Sequence, residues 1–431
     1  MRLLDLRGTT DYGSALPRAG FSVESAMPSV ISICEDVRER GTSALTELSS
    51  KFDHVVPQSF RVQQSAIDDA MAALDPAVRA AVEVSIERRR MVCEALELEP
   101  AERSIEVAPG ARIGYRVAPV QRVGLYVPGG LAPLASSVLM NAVPAQVAGV
   151  GSIAVASSPQ ARFDGLPDPV ILGVCGLLGL TEVYAVGGAQ AIAMFAYGVD
   201  GLCAPVDLVT GPGNIYVAAA KRHLHGLIGI DAEAGPTEIA ILADAGADPL
   251  YVAADLVSQA EHDPLAGAVL VADSDALISD VQQQVARLVE AHALRGRLEQ
   301  SLGGAQSAIV RVEDLAQGIA VVDAYAAEHL EIMTADAVSV AARVHNAGAI
   351  FIGPYSPVSL GDYAAGSTHV LPTAGTARFA SGLMVRAFTK AIHVIEYDKA
   401  ALDALADDVV AFAHAESLPG HAQAITVRGA S

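Results

Sequence analysis

Apolar and polar positions change rhythm twice along the chain. Residues 26–52 and 64–97 carry apolar residues at helical spacing among alanines and charges, as in SAIDDAMAALDPAVRAAVEVSIERRRMVCEAL, and predict a helical preface. From 121 to 240 the rhythm becomes short apolar runs (VGLYV, SIAVASS, EVYAVGG, DLVTG, LIGID). Between them lie the helical stretches SSVLMNAVPAQVAGV, DPVILGVCGLLGL, AQAIAMFAYG and NIYVAAAKRHLHG. Parallel strands need a long crossover, usually a helix, so this alternation implies a parallel sheet covered on both faces. A second series follows: EIAILAD, helix 249–262, AGAVLVA, helix 274–298, SAIVRV, helix 313–327, HLEIMT, helix 336–347 and AGAIFIG. A Gly-rich loop over 360–377, the run KAIHVIEYD and a helix near 399–417 complete the chain. The expected fold is therefore α/β, with two tandem Rossmann-like, doubly wound parallel-sheet domains and smaller helical segments at either end.

Composition narrows the class. Length of 431 residues and 52% hydrophobic content suit two or three packed units. The 49 acidic residues against 28 basic ones give a net charge of -21, which repels phosphate backbones and argues against a nucleic-acid partner. Mean hydropathy is positive, yet the most apolar region, near 170–210, is cut by Thr181-Glu182, Gly187-Gly188, Asp200 and Pro205-Val206-Asp207. No stretch is left to span a bilayer. MRLLDLRGTTDYG carries charge where a signal peptide needs an apolar core, so a cytoplasmic location is expected. Cys34, Cys93, Cys175 and Cys203 form no C-x-x-C pair and read as reduced core residues.

Gly149-Val150-Gly151-Ser152-Ile153-Ala154 matches G-x-G-x-x-G/A on paper but precedes the strand SIAVASS. The dinucleotide fingerprint works by following a strand and opening a helix, so the fold is expected without it. Better cradle candidates are the glycine turns at strand ends: Pro128-Gly129-Gly130, Gly187-Gly188-Ala189-Gln190 and Gly211-Pro212-Gly213-Asn214. They fit a nucleotide, and they also fit tight turns demanded by topology alone.

Four segments offer metal or proton chemistry. Helix 249–262 starts with Asp248 as N-cap and Pro249 as first residue. Leu250, Ala253, Val257 and Ala260 share one of its faces, with Asp255, Gln259 and His262 opposite. Gln259 and His262 are spaced to meet one ion at the helix end, though a solvated polar face has the same pattern. Glu328-His329 stands where a helix gives way to a strand and joins two proton carriers of different pKa. The loop GDYAAGSTHVLPT carries Asp362 and His369, and ESLPGH near the C-terminus carries Glu416 and His421.

Taken in order, VGLYVPGG, GPGNIYVAAAKRHLHGLIGIDAEAGPTEI, DLVSQAEHDP, AAEHLE, GDYAAGSTHVLPT and ESLPGH resemble the histidinol dehydrogenase family over nearly the whole chain. The resemblance implies one zinc ion per subunit, held by Gln259, His262, Asp362 and His421. That last ligand would come from the partner subunit of an intertwined homodimer. Glu328 and His329 fall on the family's catalytic pair; Thr237, His369 and Glu416, with the pair and the metal ligands, fall on its substrate contacts. Tyr126, Gln190 and Asn214 fall on its NAD contacts. The implied division is an arm over 1–25, a first α/β domain from 26–120 with 237–381, an NAD-side domain over 121–236, and a C-terminal segment over 382–431 reaching the partner's site. The implied activity is the last steps of histidine biosynthesis: four-electron oxidation of L-histidinol to L-histidine through a bound aldehyde, with two NAD reduced. Thr237 stands where serine is frequent, and Thr368 where asparagine is expected. Two other readings differ in class. A zinc hydrolase would need a two-histidine helix with an intervening glutamate, which is missing. A non-enzymatic relative would be expected to have lost Glu328, His329, His262 or His421, all of which are present.

Overall fold

The computed structural model describes residues 1–13, 15–20, 22–130, 133–233 and 235–429. The N-terminal arm opens with strand β1 (Arg2–Asp5). Helices α1 (Val23–Arg40), α2 (Thr42–Phe52), α3 (Gln64–Ala72) and α4 (Pro76–Val92) follow. The two long helices expected over 26–52 and 64–97 are each broken. Gly41 at φ 52° ends the first, and Asp75-Pro76 interrupts the second, because the residue before proline is pushed out of the helical region. A π-helical turn closes it at Cys93–Glu97. Next come the antiparallel strands β2 (Glu102–Ala108) and β3 (Ala111–Pro119).

The first α/β series is β4 (Arg122–Val127), α5 (Ser136–Val147), β5 (Ser152–Ser157), α6 (Pro169–Leu177), β6 (Val183–Ala185), α7 (Gly188–Tyr197), β7 (Leu208–Thr210), α8 (Ile215–Leu224) and β8 (Gly229–Ile230). Its five-stranded parallel sheet runs β6-β5-β4-β7-β8. Alternate residues face opposite layers. Tyr126, Ala154 and Ala156 pack with α7 and α8, whereas Val123, Leu125 and Val155 pack with α5 and α6. The Gly149-Val150-Gly151 turn does lie ahead of β5, so it aims at no helix. The helices of 23–92 add outer layers to this unit, α1 on α7 and α8, α3 on α6, and α4 on α5. Within one chain, their principal contacts are therefore not with the segment 237–381 they were expected to accompany.

The second series is β9 (Glu238–Ala243), α9 (Pro249–Ala260), β10 (Gly267–Ala272), α10 (Asp275–Ala291), α11 (Arg295–Gly303), β11 (Ala308–Arg311), α12 (Leu315–Tyr325), β12 (His329–Met333), α13 (Ala337–Ala341), β13 (Ala349–Ile352) and the short α14 (Val358–Tyr363). Its sheet order is β1-β11-β10-β9-β12-β13, all parallel. Without β1, this repeats the order of the first sheet, so the expected tandem of similar doubly wound units is present. Ile239 and Ile241 face α9 and α10, and Ala240 and Leu242 face α12. The helix expected over 274–298 divides at His292, whose backbone is extended (ψ 139°) and whose Nδ1 accepts a hydrogen bond from Leu294 N–H.

The chain ends with β14 (Thr389–Tyr397), α15 (Lys399–Ala415) and α16 (Pro419–Thr426). β14 pairs antiparallel with β3 in a separate sheet of order β14-β3-β2, an addition to the expected parallel architecture. All four cysteines are free and buried, as expected of core residues. Burial pushes the thiols of Cys34, Cys93 and Cys175 up to about 12.

Candidate active site

The proton-handling residues gather at the amino ends of β9 and β12, the adjacent strands where the order of the six-stranded sheet reverses. At the end of α12, Ala326 adopts a left-handed conformation (φ 49°), which turns the chain so that Glu328 immediately precedes β12 and His329 opens it. In register, His329 lies beside Ile239, one residue after Glu238. Both side chains of the pair are buried, at 6% and 4% exposure.

A compact hydrogen-bond set fixes them. Thr237 Oγ1 donates to Glu328 Oε2 at 2.7 Å, and the Glu238 backbone N–H donates to the same oxygen at 2.9 Å. Gln259 Nε2 donates to Thr237 Oγ1 at 2.9 Å. His329 Nδ1 lies 3.2 Å from the Glu238 carbonyl oxygen. A carbonyl only accepts, so Nδ1 carries the proton and Nε2 holds the lone pair. His329 Nε2 is buried and has no hydrogen-bond partner among the described residues. Such an orphan is rare in a folded interior and suits a group that waits for a ligand's proton.

Burial dominates the electrostatics. It raises the Glu328 carboxyl to about 8 against the opposing pull of the Thr237 hydroxyl and the Glu238 N–H. The same cause pushes the His329 imidazole below its ordinary value, opposed by the Asp362 charge. His329 is therefore neutral near pH 7, as a proton acceptor must be. Burial also raises the Asp362 carboxyl, opposed by His329.

α9 begins as its sequence predicts: the Asp248 side chain accepts from Leu250 N–H, with Pro249 as the first helical residue. Its faces differ from expectation, because Leu250 is exposed whereas Gln259, expected on the polar side, is only 5% exposed. The helix runs back to the amino edge of the sheet, where the Gln259 amide turns inward to Thr237. His262 follows at its end and is exposed in the single chain. Surrounding protein still crowds it enough to lower its pKa, and the His329 ring adds to that lowering.

Asp362 lies in α14 rather than in the open loop expected there. His369 Nδ1 is 3.1 Å from the Asp362 carbonyl oxygen, and its Nε2 is 3.4 Å from Ser137 Oγ at the start of α5. Burial pushes this imidazole down to about 4. The loop is anchored from below by Arg89, a fully buried residue with no sequence signal of its own. It bonds both carboxylate oxygens of Glu97 and the carbonyls of Gly366 and Leu383. Thr368, the departure noted above, accepts from Val370 N–H.

The three residues expected to meet a nucleotide, Tyr126, Gln190 and Asn214, lie at the carboxyl edge of the five-stranded sheet. Tyr126 is the last residue but one of β4, its hydroxyl accepting from Gly188 N–H at 3.0 Å, and Gln190 is buried in the first turn of α7. Gly211 approaches so closely that a Cβ there would lie 2.0 Å from the Tyr126 carbonyl oxygen. Its φ of +117° also favours glycine. Asn214 Oδ1 caps α8 by accepting from Tyr216 and Val217 N–H. The turn is held by a buried ion pair that sequence reading missed. Lys221 Nζ reaches the Gly211 carbonyl at 2.5 Å and Asp231 Oδ1 at 2.6 Å, and Asp231 Oδ2 accepts from Gly211 N–H. A cavity of about 380 Å³ opens beside Pro212, between Asp231 and the segment 381–387.

Glu416 and His421 are not brought to this cluster. Glu416 ends α15 and His421 sits in α16; both are exposed. Among the described residues, no group of three or more His, Cys, Asp or Glu side chains is arranged to hold a metal ion. Of the expected ligands, one chain brings Gln259, His262 and Asp362 to the surroundings of His329. Among the described residues, no helix is long and apolar enough to cross a membrane.

A family model described as histidinol dehydrogenase matches residues 16–429. The histidinol dehydrogenases of Cutibacterium acnes and Thermobifida fusca are 62% and 60% identical, over 99% of this chain and 99% and 97% of theirs. The crystal structure of histidinol dehydrogenase from Elizabethkingia anophelis has a TM-score of 0.93 at 30% identity, covering 99% of this chain and 98% of that one. Identity of this height across full lengths, joined to the same fold, shows that the chain belongs to the histidinol dehydrogenase family.

Proposed function

We propose that the chain oxidises L-histidinol to L-histidine in two NAD-dependent steps, at a zinc site completed by a second copy. The observation that carries this reading is the buried His329 Nε2, which has no hydrogen-bond partner among the described residues, on a ring whose Nδ1 side meets Glu328 and Glu238 and which feels the Asp362 charge. Gln259, His262 and Asp362, with His421 of another copy, form an oxygen and nitrogen donor set of the kind zinc accepts. Gln259 commits its Nε2 to Thr237, which turns Oε1 to the role of ligand. Zinc held by these residues would act as a Lewis acid that orients the substrate's amine and imidazole. Tyr126, Gln190 and Asn214 would hold NAD, which takes up the hydride of each oxidation.

His329 Nε2 removes the alcohol proton in the first step. Glu328, ionised, then draws a proton from the water that adds to the aldehyde while His329 returns its proton to the aldehyde oxygen; neutral again, His329 takes a hydroxyl proton of the resulting hydrate as the second hydride leaves for NAD. Thr237 keeps the Glu328 carboxylate turned toward the substrate. His369 is neutral and suited to a hydrogen bond with substrate, and Glu416 of the second copy pairs with the substrate ammonium. Enclosure between two chains retains the aldehyde.

Support for a homodimer comes from the surface as well. Ile105, Val107, Ile395, Phe412 and Val427 are exposed, at 51–71%. They cluster on β2, β14 and the C-terminal helices, where a monomer would leave apolar surface in water. The division of the chain proposed here assigns 121–236 to NAD, 237–381 to substrate and metal, and 382–431 to the partner's site. A cytoplasmic location fits a chain of this chemistry. NADH formation from purified protein with histidinol, lost on chelation and restored by zinc, tests the reading.

A further inference from the structure

The carbonyl and the N–H that orient the proton carriers both belong to Glu238, whose own side chain has no part in the chemistry above. It points away from them into the protein at 5% exposure. A carboxylate at the head of the wholly buried strand EIAILA requires a partner. That partner comes from the N-terminal arm. Arg18 Nη1 lies 3.1 Å from both Glu238 carboxylate oxygens. Arg18 Nη2 donates to the Tyr325 carbonyl, and the guanidinium stacks 4.3 Å from the centre of the Tyr325 ring. The Tyr325 hydroxyl donates to Glu238 Oε2 at 3.3 Å. Gly375, at φ +77°, closes over the pair; a Cβ there would lie 2.8 Å from Arg18 Nη2. The arm is itself secured, since β1 forms the edge of the six-stranded sheet beside β11.

We propose that Arg18 is a positioning residue: by neutralising and gripping the buried Glu238 side chain, it holds the Glu238 peptide where it orients Glu328 and His329. The inference rests on the activity proposed above. Without Arg18, the Glu238 carboxylate is a buried charge lacking its cation, and it must take up a proton or turn toward the opening that Arg18 fills. Either outcome moves the backbone atoms that bond Glu328 Oε2 and His329 Nδ1. Arg18 bonds Glu238 and Tyr325 rather than Glu328 or His329, so its loss is expected in turnover rather than in binding.

The test compares the parent enzyme, Arg18→Gln, Arg18→Lys, Glu238→Gln and the Arg18→Gln/Glu238→Gln double variant. Each is purified with zinc, checked for folding by circular dichroism and melting, and assayed with histidinol and NAD. Arg18→Gln is expected to lose about 10–100-fold in kcat, the usual scale for a residue that supports a reactive one, with KM for histidinol within about 3-fold of the parent. Arg18→Lys keeps the charge but not the two-point fork and should fall between. Removing the stranded carboxylate should rescue the double variant at least about fivefold over Arg18→Gln. A folded Arg18→Gln with kcat within about twofold of the parent overturns the proposal, as does a double variant whose losses multiply. If Arg18→Gln does not fold, the same decision falls to Arg18→Lys and the double variant. A parent that forms no NADH from histidinol sinks the proposed activity itself, a result separate from these.

Discussion

Thr237→Val isolates one hydroxyl at the centre of the cluster. Valine keeps the shape and removes the donor to Glu328 Oε2, 2.7 Å away, together with the acceptor for Gln259 Nε2. Hydrogen bonds to charged groups contribute about 1.5–3 kcal/mol. At 1.36 kcal/mol per pKa unit, that loss raises a carboxyl by roughly 1–2 units. Glu328 already stands at about 8, so the variant carries it to between about 9 and 10. The sign follows from its role: a base works when deprotonated, so the rate rises with pH through this pKa. At pH 7.5, the ionised fraction falls from roughly a quarter to a few per cent or less. Oxidation of the aldehyde should drop about 10-fold or more at pH 7.5 and recover toward the parent's plateau near pH 10. The assay is NADH formation from the aldehyde across pH 6.5–10, with zinc content measured alongside. Thr237→Ser, which keeps the hydroxyl, should retain the parent profile. A valine variant whose profile does not move, with zinc retained, would refute the role given to this hydrogen bond.

Other perturbations separate the remaining roles. Glu328→Gln should slow the aldehyde half-reaction while largely sparing alcohol oxidation, whereas His329→Ala should cripple both; equal losses for Glu328→Gln contradict the division. Lys221→Met strands Asp231 and loosens the Gly211 turn, so KM for NAD should rise several-fold with KM for histidinol unchanged, read from initial rates. Arg89→Met leaves Glu97 buried without its cation and should cost about 3–5 kcal/mol in denaturant unfolding. A loss below about 1 kcal/mol would show that the loop bearing Asp362 and His369 is anchored elsewhere.

Much of this architecture is readable from the chain because both α/β sheets are parallel and covered on two faces. Their strands, such as EIAILA and GAVLVA, are continuous apolar runs that alternate with helices. The β2–β3 hairpin escaped for the opposite reason: every residue of β2 is exposed in one chain, so no buried face imprints a pattern. α16 and the short α14 are too brief for a helical period to show. The Glu328–His329 pair stood out as adjacent chemistry, and Gln259 with His262 as neighbours on one helix. Arg18 did not, since it meets Glu238 across 220 residues of sequence. Its trace lay on the other partner: an acid heading an apolar strand has to find a cation. Leu250 is exposed although it shares a face with the buried Ala253, Val257 and Ala260, because a helix wheel identifies faces but not which of them the rest of the fold will cover.

Mixing two inactive variants tests whether each active site is built from two chains. His329→Ala and His421→Ala homodimers should each be inactive. In a hybrid dimer, one site carries both lesions and the other carries neither, because the intact His421 arrives from the partner. Random reassociation makes about half the dimers hybrids with one working site each, so activity should recover to about a quarter of the parent value. If hybrids form and no activity returns, His421 serves its own chain, and the shared site is contradicted.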